Sequence, residues 1–299
     1  MQRKLVQQGN STLMVSLPSA WLKKNNLKKG SLIELEEQQN NLIISNKKTE
    51  VKKYSKIKIT EQELPIRRIL LSLYEQGIDE IDLEFPQELI IEIEKIVNQL
   101  IGYEIIKQEK KSCKIQDITK SSEEELEIIT RRLFLLTKNM FEDSINAIKT
   151  NDIELIKHIE YRDLDINKFS YYAKRLINKN NNINKIQIHQ TIECLEFIGD
   201  ELKRLFWHII KYKNKFTKRD MEIFEKTYSL FNDCYNFIYQ PEEKLLKKIR
   251  KDYLNLRENF IDKNTNDIWI RHYLNNIMEL SIKIERANIS SLKNVDLNQ

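Results

Sequence analysis

The chain has 299 residues, of which 40% are hydrophobic and 32% charged, and its net charge is +5. This composition is typical of a soluble protein with a packed core, and the length allows two or three domains. The sequence has no apolar run near the roughly 18 residues that a membrane-spanning helix needs. The first nine residues also lack the apolar stretch of a signal peptide, so we expect a cytoplasmic protein without membrane insertion.

The positive charge is concentrated in the first sixty residues, which hold twelve Lys or Arg and four Asp or Glu. Their surplus is +8, so the rest of the chain sums to −3. A basic segment of this kind favours an acidic partner, and nucleic acid is the first candidate. A solvated basic surface with no partner has the same composition, so the charge alone leaves both interpretations open.

Residues 1–48 are predicted to form a small, mainly β domain. Apolar and β-branched residues cluster in short runs between turns at Gly9 and Gly30. The predicted strands are Lys4 to Val6, Thr12 to Leu17, Leu32 to Leu35 and Leu42 to Ser45, with one helix at about Pro18 to Asn26.

Residues 51–118 change pattern and are predicted to form an α/β connector of order β-α-β-α-β-β. The predicted strands lie at 56–59, 80–85, 103–108 and 113–118, and the helices at 65–76 and from Pro86 to Gly102. Four of the five glycines and three of the four prolines occur before residue 103. The loss of these turn-forming residues marks a boundary near Asp117–Ser121.

From Ser121 onward the hydrophobic period is helical. Ser122 and Glu125 form a capping-box pattern, and apolar residues then recur at spacings of three and four. Six helices are predicted, at about 122–149, 152–178, 184–212, 218–239, 242–262 and 266–291. Their similar lengths indicate two three-helix bundles in tandem, at 121–212 and 216–292.

Polar residues occupy apolar positions of the second and third of these helices. Asp163 and Ser170 fall on the apolar stripe of the second helix, where a carboxylate is costly unless it is paired or binds a metal. In the third helix Glu196 and Asp200 share one face, and Glu193 lies one turn before Glu196. The spacing leaves two interpretations open: acids solvated or balanced by Lys and Arg, or a metal site between helices.

No arrangement typical of an enzyme is present in the sequence. It has no Gly-rich phosphate loop, no GxSxG and no HExxH, and its four histidines have no ligand spacing. The cysteines Cys113, Cys194 and Cys234 match no zinc or redox motif, so we expect free thiols in a reducing compartment. We therefore do not expect an enzyme.

The opening segment contains Arg3-Lys4, Gly9-Asn10-Ser11-Thr12, Val15-Ser16-Leu17-Pro18, Trp21, Lys23-Lys24, Leu27, Gly30 and Ile33-Glu34-Leu35. In these residues it resembles the AbrB/SpoVT family of DNA-binding domains. The resemblance implies an interlaced β dimer of swapped hairpins that presents basic loops and helix starts to double-stranded DNA. It also implies a set of DNA contacts: Arg3, Lys4, Lys23 and Lys24 as basic residues, with Asn10, Ser11 and Thr12 as further hydrogen-bonding groups.

The helical half contains two motifs, Arg162-Asp163-Leu164-Asp165-Ile166-Asn167 and Cys194-Leu195-Glu196-Phe197-Ile198-Gly199-Asp200. In these motifs it resembles the PhoU family of phosphate-homeostasis regulators, which are built from two three-helix bundles. The resemblance implies one divalent or ferric ion in the first bundle, held by Asp163, Glu196 and Asp200. Weaker ligand positions are Asn167, Glu193, Asn275 and Glu279, the last two in an eroded repeat of the motif.

The segments 100–106 and 115–118 resemble the connector of archaeal proteins that fuse an AbrB-like head to a PhoU-like body. Together the resemblances imply a homodimeric, DNA-binding transcriptional regulator of phosphate homeostasis. An adaptor that docks on a phosphate transporter or a signalling kinase, with the head used only for dimerisation, is the alternative. A third hypothesis, an antitoxin, suits shorter chains with an AbrB-like domain.

Overall fold

A computed structural model describes residues 2–9, 11–38, 41–46, 52–60, 65–119, 123–179, 185–261 and 268–291. The chain forms two compact units, Met1–Lys52 and Lys53–Gln299, which we call the head and the body. A small strand-rich head followed by a mainly helical body is the fold class that the sequence predicted. No described helix is long and apolar enough to span a bilayer.

The head consists of two antiparallel hairpins and one short helix. Its elements are β1 (Val6–Gln8), β2 (Thr12–Met14), α1 (Ser19–Lys24), β3 (Ile33–Gln38) and β4 (Asn41–Asn46). Gly9 turns the first hairpin with a φ of +73°, a conformation that glycine adopts without steric cost. All four predicted strands and the helix are present, but β1 lies two residues later than the predicted Lys4 to Val6 and β2 ends three residues before the predicted Leu17.

No described side chain of the head is buried. Large apolar residues on both hairpins and in the loops are instead exposed: Leu5, Val6, Leu13, Met14, Val15, Leu32, Leu35, Leu42 and Ile43. A folded domain normally buries such residues in a core of its own, and so many exposed apolar side chains mark an interaction surface. A single copy of the head therefore has no core among its described residues.

The body begins with a four-stranded sheet and two helices, the predicted connector. Its elements are β5 (Tyr54–Lys58), α2 (Ile66–Glu75), β6 (Glu80–Glu84), α3 (Ile90–Val97), β7 (Tyr103–Glu109) and β8 (Ser112–Asp117). The strand order is β5-β6-β8-β7, with β5 and β6 parallel and the other pairs antiparallel. The helix predicted from Pro86 to Gly102 is shorter than expected, because residues 87–89 form a 3₁₀ turn and α3 ends at Val97.

Six helices make up the rest of the described body, as the periodicity predicted. They are α4 (Glu123–Thr150), α5 (Ile153–Lys179), α6 (Lys185–Tyr212), α7 (Lys218–Tyr239), α8 (Glu243–Ile261) and α9 (Ile268–Asn288). Thr217 and Asp220 form a capping box at the start of α7, in which each side chain accepts a hydrogen bond from the other residue's backbone N–H. The capping box predicted at Ser122 lies outside the described residues.

The two predicted bundles and the connector share one hydrophobic core. The main cluster of buried side chains extends from Ile59 in the connector to Ile284 in α9. Helix α6 lies at its centre and packs against α5 on one side and α9 on the other, while α2 of the connector packs on α5. A smaller cluster, which includes Leu230, Ile249 and Met278, joins α8 to α7 and α9. The predicted tandem bundles are therefore packed side by side within one unit.

Candidate functional site

The three predicted metal ligands lie on α5 and α6, which face each other in the core. Asp163 on α5 is 2% exposed and Ser170 is fully buried, as their places on the apolar stripe predicted. Gly199 on α6 lets the two helices approach closely. A Cβ atom at that position would lie 3.1 Å from Ile166 Cδ1 and 3.6 Å from Asp163 Oδ1. The absence of a side chain at Gly199 therefore permits this close contact between α5 and α6.

Two lysines hold the carboxylates of this cluster. Lys203 Nζ lies 2.5 Å from Asp163 Oδ2 and 2.8 Å from Asp200 Oδ1, so one ammonium group bridges both acids. Lys174 Nζ lies 2.7 Å from Glu196 Oε2, which also accepts a hydrogen bond of 2.6 Å from Ser170. The cluster is thus balanced by internal cations, which is one of the two interpretations that the spacing left open.

Burial and pairing act in opposite directions on these groups. Burial raises the pKa of Asp163, and the hydrogen bond from Lys203 offsets only part of that rise. Burial lowers the pKa of Lys203, but its hydrogen bonds to Asp163 and Asp200 outweigh this effect and raise the pKa overall. Lys203 therefore stays charged between the two acids at neutral pH.

Three of the four weaker predicted ligands contact other side chains. Asn167 donates a hydrogen bond of 3.0 Å to Asp163 Oδ2, Glu193 lies 3.5 Å from His189 Nδ1, and Glu279 accepts a hydrogen bond from Tyr253. Asn275 lies on α9, half-buried.

These contacts test whether the residues fit an ion. Asp163 Oδ1 is buried without a hydrogen-bond partner, as an unfilled ligand position would be. Across the described ranges, however, no three His, Cys, Asp or Glu side chains form a group suited to a metal. As arranged, the cluster fits an ion only if Lys203 moves away, and the metal site stays a prediction.

Sequence reasoning missed a second buried charge cluster, centred on Arg175 of α5. Arg175 is 1% exposed, and its guanidinium lies between the rings of Tyr74 and Tyr103, at 4.9 and 5.0 Å from their centroids. It donates hydrogen bonds to the Tyr74 carbonyl at 2.8 Å and to Asp117 Oδ2 at 2.6 Å. These contacts join the connector to the first bundle through a buried, fully paired arginine.

Two lysines of α5 extend this joint. Lys179 Nζ lies 2.7 Å from Asp79 Oδ1 and 3.0 Å from Asp117 Oδ2. Lys174 lies between Glu196 of the acidic cluster and Glu75 at the end of α2, 3.8 Å away. The carboxylate cluster of the bundle is therefore linked to the connector by ion pairs that share Lys174.

The predicted DNA-contacting residues of the head are exposed. Lys23 and Lys24 form the last turn of α1, Arg3 and Lys4 precede β1, and Ser11 and Thr12 follow the Gly9 turn. No described residue forms an ion pair with Lys23 or Lys24, so both charges face solvent. Asn10 lies outside the described residues.

Two protein-family models match parts of the chain. The model described as antidote-toxin recognition MazE, a bacterial antitoxin, matches residues 6–52, and the PhoU domain matches residues 130–206. No curated protein and no solved structure matched the chain. The chain thus combines an N-terminal MazE/AbrB-like domain with a PhoU domain, as the two resemblances predicted. Both families are regulatory rather than catalytic.

Proposed function

From a MazE/AbrB-like head joined to a PhoU domain, we propose that this protein is a homodimeric, DNA-binding transcriptional regulator of phosphate homeostasis. In this proposal the head binds double-stranded DNA and the body carries the regulatory input. The two family matches support these separate roles of the head and the body. The first type of domain suggests DNA-binding or antitoxin-type regulation, and the second suggests phosphate homeostasis.

The observation that carries the homodimer in this proposal is the head's lack of a core. Its described side chains are all at least partly exposed, and Leu13, Leu35 and Leu42 are each about 60% exposed. Pairing two heads would remove these side chains from water, and each Å² of apolar area so buried contributes about 25 cal/mol. A second copy is therefore the natural partner for this surface, as the resemblance to an interlaced dimer implies.

The same pairing would double the basic residues that face DNA. Arg3, Lys4, Lys23 and Lys24 would contact phosphates, which orients a protein on the duplex without specifying sequence. Ser11, Thr12 and Asn10 are the candidates for hydrogen bonds near the bases or the backbone. Because the contacts are dominated by cations, binding should weaken steeply as salt increases.

The body would act as the sensor or the docking surface of the regulator. We keep the metal ion at Asp163, Glu196 and Asp200 as a hypothesis: an ion would supply positive charge to these acids, and it would have to displace Lys203. Because Lys174 pairs with both Glu196 and Glu75, a structural change at the acidic cluster would also affect an ion pair with the connector. No step of the proposed DNA binding depends on that ion.

The alternative is an adaptor that docks on a phosphate transporter or a signalling kinase. The PhoU match favours it, because it covers most of α4–α6 and concerns the body alone. In that case the head would serve dimerisation without binding DNA. The antitoxin hypothesis is supported by the description of the first family model and by the same head residues.

DNA binding by the full-length protein separates these functions. The probes are its own promoter and a phosphate-transport promoter, and the variants are Lys23→Ala/Lys24→Ala and the matched control Lys110→Ala/Lys111→Ala in the exposed β7–β8 turn. We expect binding by the wild type and the control and loss in the head variant. A folded, dimeric wild type that binds neither promoter at low salt would refute the proposal and favour the adaptor.

A further inference from the structure

One end of the body exposes large apolar side chains. Trp207, Ile210 and Tyr212 at the end of α6 are 56, 51 and 55% exposed, and Ile268 and Trp269 at the start of α9 are 75 and 55% exposed. We call the surface formed by these five residues and the α6–α7 segment 211–219 the tip. Residues 262–267, which precede α9, lie outside the described ranges and are not part of the tip.

The aromatic side chains of the tip form one surface. Trp207, Tyr212 and Trp269 line the same shallow depression of about 440 Å³, together with His208, Asn214 and Tyr273. The His208 ring lies 4.6 Å from that of Tyr212 and 5.8 Å from that of Trp269, measured between centroids. The buried His208 therefore supports the aromatic residues of α6 and α9 side by side.

Basic residues lie among and after the aromatic residues of α6 along the chain. The segment 207–219 contains no acidic residue, and five exposed basic side chains: Lys211, Lys213, Lys215, Lys218 and Arg219. Lys211 Nζ lies 4.3 Å from the centroid of the Trp207 ring. The next acid along the chain, Asp220, is buried, caps α7 through Thr217 and lies 3.4 Å from Arg271. It is not placed to neutralise this segment, and Asp267, which precedes Ile268, lies outside the described residues.

We propose that the tip docks this protein on the surface of an anionic phospholipid bilayer. Trp and Tyr are enriched where a bilayer's hydrocarbon meets its headgroups, because their rings are apolar and their polar atoms stay hydrated. Exposed Ile210 and Ile268 can enter the acyl boundary, while the lysines and Arg219 attract anionic headgroups.

Other partners fit the tip less well. The cores of protein interfaces are depleted in lysine, whereas four lysines lie in this one segment. Single-stranded nucleic acid would stack on the aromatic rings but would leave the two isoleucines without a role. The lipid surface is the partner that uses all three features of the tip: the aromatic rings, the isoleucines and the charge. It goes beyond the proposed DNA binding and does not depend on it.

Tryptophan fluorescence can report this docking directly. The chain has three tryptophans, and two of them belong to the tip. The full-length Trp21→Phe variant would therefore emit only from Trp207 and Trp269. We expect a blue shift and co-sedimentation when it meets vesicles of phosphatidylcholine and phosphatidylglycerol, and neither with phosphatidylcholine alone. Added salt should weaken the binding.

Two tip variants in this background assign the surface. Ile210→Ser/Ile268→Ser keeps both tryptophans, and Lys213→Ala/Lys215→Ala removes two charges; each should weaken partitioning by about tenfold or more. Ile128→Ser/Ile186→Ser, at exposed positions of α4 and α6, is the matched control and should bind like the parent. Lys23→Ala/Lys24→Ala tests whether the basic head causes the binding, and it should leave partitioning unchanged. All of these positions are exposed, and circular dichroism verifies folding.

Several results would overturn the proposal. One is equal binding to neutral and anionic vesicles, or binding to neither. Another is binding that is lost in the head variant while both tip variants retain it. A blue shift with single-stranded oligonucleotide and none with anionic vesicles would reassign the tip to nucleic acid.

Discussion

At the scale of single residues, the buried charges of the body differ in how fully they are paired. Arg175 has carbonyl, carboxylate and aromatic partners, whereas Asp163 keeps one carboxylate oxygen without a partner. Asp163 was predictable from sequence because a lone acid on an apolar stripe is conspicuous. Arg175 was not, because its partners lie some sixty to a hundred residues away in the connector. Only the packing of the connector on α5 brings them together.

Arg175→Met should lower the free energy of unfolding of the body. The substitution removes the guanidinium and leaves Asp117, which is almost fully buried, with Lys179 as its remaining cation. Breaking a buried pair from one side costs about 3–5 kcal/mol, and Lys179 places the expected loss near the lower limit. Urea unfolding of the full-length protein measures it, with Arg68→Met, an exposed arginine of α2, as control. A loss below about 1 kcal/mol would contradict the role of the joint.

Asp163→Asn should alter how stability depends on pH. Since burial raises the pKa of Asp163 in the folded state, the stability linked to its protonated form is present at low pH and is lost as pH rises through the folded pKa. The variant lacks this loss. Its unfolding free energy relative to wild type should therefore increase as pH rises from about 4 through the folded pKa of Asp163. A difference that stays constant, or that decreases with pH, would show that burial does not raise the pKa of the Asp163 carboxyl group.

Lys203→Met should increase the affinity of the cluster for a divalent ion. Without the ammonium group, Asp163 and Asp200 lose the cation that they share, and a metal can take its place. We expect millimolar Mn²⁺ to raise the thermal midpoint of the variant more than that of wild type, after both are treated with chelator. Lys226→Met, an exposed lysine of α7, is the control. Equal shifts in all three proteins would mean that Lys203 does not compete with an ion.

At the scale of helices and strands, periodicity predicted most of the architecture. It predicted the order of the connector and all six long helices, because each helix repeats its apolar stripe over many turns. The errors lie where that repeat is short. The segment after Pro86 became a 3₁₀ turn and a short helix, and β3 and β4 extend beyond their apolar residues because the hairpin pairs Ile33 with Asn46. Backbone pairing, which the side chains do not encode, sets those ends.

Leu35→Asp should convert the dimer that we propose into monomers. Leu35 lies in β3, 60% exposed in the single chain, and a carboxylate there would have to be buried without a partner on pairing. Light scattering coupled to size exclusion should give the mass of a dimer for wild type and that of a monomer for the variant. Ile128→Asp, equally exposed but in the body, should leave the dimer intact. A monomeric wild type, or a dimeric Leu35→Asp variant, would contradict pairing through the head.

At the scale of the whole molecule, the two ends of the chain differ in net charge and in whether their described residues form a buried core. The first sixty residues carry the +8 surplus and include a head with no buried described side chain, while the body has a continuous core. The sequence predicted this division because the density of glycine, proline and positive charge changes along the chain. It did not predict that α6 and α9 pack side by side and bring Trp207 close to Trp269, since helical periodicity does not identify which stripes meet.

The salt dependence of DNA binding tests directly whether the head binds DNA. In a paired head, Lys23→Ala/Lys24→Ala removes four cations, two from each copy. Each phosphate contact makes the slope of log K against log salt more negative by about 0.9. We expect salt-steep binding by the wild type and a slope less negative by about 3 to 4 in the variant, with no such change in Lys110→Ala/Lys111→Ala. An unchanged slope in the head variant would contradict the assignment of the head as the DNA-binding surface.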